Sequence, residues 1–80
     1  MGIAHSTRMI YDHTLQLASE VHLEKAFSRL MSSVHVEDQM VETAGLRLRF
    51  TSTPGRAAAL IERIYLDGGL RWCERQLRTV

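Results

Sequence analysis

Four histidines, a single cysteine and nine arginines are the residues of this 80-residue chain that bear on chemistry. His5, His13, His22 and His35 stand eight, nine and thirteen residues apart. None forms the i, i+4 pair of a zinc helix, and Cys73 has no Cys-x-x-Cys companion. His35 and Glu37 would share one strand face, but a metal there would need ligands from elsewhere, and a solvated face is the simpler reading. Cys73 lies between Trp72 and Glu74, with Arg71 and Arg75 two residues to either side. On a strand those two cations would flank the thiol and favour its thiolate. No motif accompanies it, so it reads as an ordinary free thiol. Gly68-Gly69 stands alone, and Pro54-Gly55 lacks the lysine and serine of a phosphate loop. The sequence points to no catalytic set, no metal and no cofactor.

Nine of the ten basic residues are Arg, the cation suited to bidentate carboxylate and phosphate contacts. GC-rich coding gives the same bias without any site. Net charge is +1, distributed as −3 over residues 1–44 and +4 over residues 45–80.

Eighty residues suit one domain, and 45% hydrophobic with 24% charged residues is ordinary globular material. A domain of this size buries only about 60–65% of its unfolded surface. With one cysteine and no metal set to stiffen it, self-association is the expected source of added stability, and a homodimer is expected. The lone thiol suits a reducing compartment. The longest apolar run, Ala57 to Ile61, cannot span a bilayer, and MGIAHSTR lacks the apolar core of a secretory signal. Gly2 and Ser6 match a myristoylation pattern, without the basic patch that stable anchoring needs. The expectation is a cytoplasmic protein without membrane contact, with a flexible segment over residues 1–8 and one domain over residues 9–80.

Met9, Tyr11, His13, Leu15 and Leu17 alternate with Asp12, Thr14 and Gln16, the period of a half-buried strand. The period changes after Ser19, a good N-cap. Leu23, Ala26, Phe27, Leu30, Met31 and Val34 then fall on one helical stripe. Val34, Val36 and Met40 alternate with polar residues as a weaker strand, Thr43-Ala44-Gly45 reads as a hairpin turn, and Leu46 to Thr51 as the returning strand. Thr53-Pro54 opens a second helix, whose buried stripe is Ala57, Leu60, Ile61, Ile64 and Tyr65 or Gly68. Asp67-Gly68-Gly69 stops it. The tail from Leu70 fits a helix with Leu70, Cys73 and Leu77 together or a strand with Leu70 and Trp72 on one face, and Leu70 to Arg75 is read as the strand that closes the order. The order β-α-β-β-α-β predicts an α+β fold of ferredoxin-like kind, a four-stranded antiparallel sheet with two helices on one face.

A rival reading uses the same residues. Leu17 to Met31 resembles the helix-turn-helix of DNA-binding proteins, with Ala18, Val21 and Leu23 where that motif wants small and apolar residues. It departs from the motif at His22, in the place of the turn glycine, and at Ser28, where an apolar anchor belongs. The resemblance implies a mostly α fold with Lys25 and Arg29 on the DNA-reading helix.

The leading expectation is a small non-catalytic regulatory or inhibitory protein acting by protein–protein contact. Arg47, Arg49, Arg71, Trp72 and Arg75 are the expected partner-binding residues, since Trp and Arg are enriched among interface hot spots. The first alternative is nucleic-acid binding through the arginine-bearing sheet face. An RNA-binding sheet of this fold exposes aromatics on its first and third strands, where this chain has Asp12, Thr14 and Gln16, and Arg47 and Arg49. The second is a small dimeric α+β barrel enzyme with a pocket lined by Tyr11, His13 and Met40. That architecture wants an apolar open face, and Arg47 and Arg49 oppose it.

Overall fold

A computed structural model of the chain describes residues 9–32 and 41–78. The elements run β1 (Tyr11–Leu17), α1 (Glu20–Ser32), β2 (Val41–Ala44), β3 (Arg47–Ser52), α2 (Pro54–Leu66) and β4 (Leu70–Leu77). The strands form one antiparallel sheet in the order β2-β3-β1-β4. β1 and β2 therefore run parallel with β3 between them, and β3 and β4 run parallel with β1 between them. Each helix is the crossover of a split βαβ unit, and the predicted α+β fold is the observed one.

Alternation decides which side is buried. His13, Leu15 and Leu17 of β1 and Leu48 and Phe50 of β3 point to the helices. There they meet Ala26 and Leu30 of α1 and Ala57 and Ile64 of α2. Leu23, Val41, Leu60, Ile61 and Leu70 pack around this core. The two helices touch each other as well as the sheet, so both lie on one face.

Ser19 caps α1 as its sequence position predicts. Its hydroxyl accepts the His22 backbone N–H at 3.3 Å, and its carbonyl accepts the Leu23 N–H at 3.0 Å. Thr53 holds the corresponding place before α2 in extended conformation but makes no side-chain capping bond, and Pro54 supplies the first-turn geometry instead. At the far end of α2, Gly68 N–H donates to the Tyr65 carbonyl and Gly69 N–H to the Ile64 carbonyl, both at 3.0 Å. Gly68 takes φ 76°, completing a Schellman stop.

Several sequence expectations change. The weak strand placed at Val34–Met40 lies outside the described residues, and the strand pairing with β3 is Val41–Ala44. Thr43 and Ala44 belong to that strand. The hairpin turn is Gly45-Leu46, with Gly45 at φ 61° in the first loop position. On α1, Phe27 and Met31 remain 39% and 52% exposed, so its buried stripe is narrower than the period suggested. Tyr65 is likewise exposed. The helix-turn-helix reading fails because Leu17 ends a strand, and Glu20 to Ser32 is a single unbroken helix.

β4 carries the largest correction. Leu17 pairs with Leu70 while Gln16 pairs with Trp72, leaving Arg71 as an extra, bulged residue. The bulge puts Leu70 against the core and Trp72 on the other face, where simple alternation had them together.

Candidate functional site

The side of the sheet away from the helices is built by the period-two partners of the core residues. β1 contributes Asp12, Thr14 and Gln16 as a floor of polar side chains. β3 contributes Arg47 and Arg49 along one flank, and β4 contributes Trp72, Glu74 and Gln76 along the other. Long residues on the two neighbouring strands and shorter ones at Asp12 and Thr14 make a shallow concavity of about 220 Å³ over β1. Cross-strand register fixes the rows. Glu42, Arg49, Thr14 and Glu74 form one, and Ala44, Arg47, Gln16 and Trp72 the next.

Within the second row the Arg47 guanidinium lies 5.4 Å from the centre of the Trp72 ring, reaching across Gln16. This is a cation–π contact at the surface, worth about 0.5–1 kcal/mol where solvent still reaches it. It holds two long side chains in a defined relation. Arg49 turns the other way, to Glu42 at 3.7 Å, and Asp12 meets Arg78 at 3.5 Å. Both pairs are solvent-exposed and contribute little to stability. Asp12 and Arg49 thus find their charge partners toward the edges of the sheet, just past β4 and on β2, and not in each other.

The five partner residues expected from sequence are divided by the fold. Arg47, Arg49 and Trp72 share the open face. Arg75 pairs with His13, whose side chain is buried under the helices, so it points to the opposite side. Its guanidinium sits 4.7 Å from the Tyr11 ring centre. Arg71 is the bulge residue and belongs to neither row. In their place the sheet brings Asp12, Thr14, Glu74 and Gln76 to the face. Glu74 and Gln76 were open to detection, standing two and four residues beyond Trp72 on one strand face.

No family model, curated protein or solved structure matches the chain.

Other chemistry weighed from the sequence is dispersed. His13 is buried, and its Nε2–H donates to the Ser52 carbonyl at 3.3 Å. Its ring stacks on Phe50 with centroids 5.2 Å apart. Burial lowers its pKa below 6.5, and the positive charge of Arg75 adds to that, against opposing effects of the Ser52 bond and Asp12. His22 works locally. Its Nδ1 lies 2.8 Å from the Ser19 hydroxyl, and its ring fills the space where a Gly69 side chain would begin. Cys73 is free and exposed on the helix side of β4, level with Leu15. His5, His35, Glu37 and Met40 lie outside the described residues, as does the segment over residues 1–8. Among the described residues no three His, Cys, Asp or Glu gather as a metal would require. No described helix is long and apolar enough to cross a membrane.

Proposed function

We propose that this chain is a protein-interaction module whose contact surface is the open sheet face, with Trp72 and Arg47 as its anchors. The observation that carries the reading is the Arg47–Trp72 pair itself. A tryptophan 41% exposed on the strand beside its bulge, with a guanidinium laid over its ring, is a preordered version of the residues that dominate interface energetics. The surrounding charges favour a protein over a nucleic acid. Arg47 and Arg49 share the face with Asp12, Glu42 and Glu74, and Arg49 is already engaged by Glu42. A phosphate-binding surface needs an excess of cations, whereas mixed signs with one aromatic suit a complementary protein surface. A regulatory or inhibitory role is the form of action this reading gives the chain.

The test is a paired capture from lysate of the chain's own host. Wild type, Trp72→Ala, Arg47→Ala and a control changed on α1, Arg29→Ala, serve as bait, with bound species quantified by mass spectrometry. The expected result is a protein retained by wild type and Arg29→Ala and depleted at least about tenfold by the two face variants. A partner retained equally by all four baits overturns the surface assignment. Recovery of nucleic acid, released by moderate salt, overturns the protein reading.

A further inference from the structure

We propose that two copies of this chain pair along β4, antiparallel and centred on Gln76, to make one continuous sheet. β4 is an edge strand, bonded to β1 on one side only. From Arg71 to Leu77 every residue is exposed, including those on the helix side of the sheet. Its backbone polarity is set by the Arg78 N–H, which donates to the Ile10 carbonyl at 3.0 Å. Counting back by two turns the backbone groups of Gln76 and Glu74 toward β1. Those of Cys73, Arg75 and Leu77 point outward, forming an unpaired row of donors and acceptors that a second strand can complete.

Charge selects a second copy and its register. A twofold axis through a continuous sheet must leave each open face on the same side. It therefore passes through a pair of identical residues. Centred on Cys73, the pairing sets Arg71 against Arg75 of the second copy. Centred on Glu74 or on Arg75, it sets like charge directly against like, which is destabilising. Centring on Trp72 runs the ladder into the Arg71 bulge, and centring on Leu77 confines it to the last residues of the strand. About Gln76, Glu74 of each copy comes opposite Arg78 of the other, whose guanidinium already meets Asp12 of its own chain at 3.5 Å and so carries two carboxylates in the pair. Arg75 and Leu77 then exchange backbone bonds in the wide, hydrogen-bonded pairs. No like charges are opposed, and the Arg75 stem covers the second copy's Leu77, which is 52% exposed in the single chain.

The test is cysteine cross-linking of the full chain in a Cys73→Ser background. Gln76→Cys, on the axis, is expected to form a disulfide-linked dimer rapidly under mild oxidation. Glu74→Cys, displaced from its own copy by four strand residues, is expected not to cross-link. Glu74→Arg, which opposes Arg78, is expected to raise the dimer dissociation constant at least about tenfold by sedimentation, with an unchanged circular dichroism spectrum. A monomer at every concentration overturns the proposal, as does a dimer in which Glu74→Cys links as fast as Gln76→Cys. A dimer indifferent to Glu74→Arg overturns the register.

Discussion

His13 is the ionisable side chain most deeply inside the described structure, and its surroundings fix the sign of its effect. The ring lies against Phe50 with its Nε2–H on a carbonyl, so protonation adds charge without adding an acceptor. Its folded pKa is below 6.5, while the unfolded chain holds the ordinary value. As pH falls the unfolded state takes up the proton first, so the stability contributed by the neutral ring is complete above about pH 6.5 and declines below it. Urea midpoints measured from about pH 7.5 down to about pH 5.5 should fall for wild type and stay nearly level for His13→Phe. A level wild-type profile would refute the assignment. At the other end of the core, Gly69 has no room for a side chain beside the His22 ring. Gly69→Ala should cost about 1–3 kcal/mol by overpacking. Adding His22→Ala should return much of that, a coupling read from a double-mutant cycle.

Elements with a strong local signal were legible in the sequence, and those set by partners were not. Ser19, Pro54 and Gly68 act on the helix ends they flank, Ser19 through its hydroxyl and the other two through backbone geometry, so their positions marked those ends correctly. Strand pairing is different. The bulge at Arg71 has no local mark, because it exists only as a mismatch between β4 and β1. For the same reason the open face was half legible. Of the expected partner residues, Arg47, Arg49 and Trp72 share that face and Arg75 lies on the helix side, while Glu74 and Gln76 of the open face were not among them. The burial of α1 was overread because a period of 3.6 shows which residues share a stripe, not how wide a neighbour covers it. The bulge yields a prediction. Deleting Arg71 joins Leu70 directly to Trp72, so either Leu70 leaves the core or Trp72 leaves the open face. The expected loss is about 2 kcal/mol, the burial of one leucine, with a matching fall in urea midpoint. Arg71→Ala keeps the extra residue and should change stability by less than about 0.5 kcal/mol. Equal effects of the two changes would show that the side chain matters and the bulge does not.

At the scale of the molecule, the opposite charges of the two halves do not become two charged sides. β1 and β2 come from the acidic half and pair with β4 and β3 of the basic half, so Asp12 meets Arg78 and Glu42 meets Arg49. The fold mixes the signs over one face, leaving contact surfaces that are patterned rather than strongly charged. The same topology leaves β4 from Arg71 to Leu77 outside the cover of the helices. A chain of this length has a total stability on the order of 4–12 kcal/mol, and among the described residues the buried hydrophobic core is Leu15, Leu17, Leu48 and Phe50 with four helix residues. Pairing along β4 would add stability by mass action, because the dimer binds only the folded chain. The melting temperature of wild type should therefore rise with protein concentration, and that of Glu74→Arg should rise much less. The two should converge at low concentration, where both are single chains, because Glu74 is exposed and makes no ion pair within the described chain. A melting temperature independent of concentration would count against the paired edge. A gap between the variants that persists at low concentration would show that Glu74 stabilises the single chain, and that its effect is not carried by a second copy.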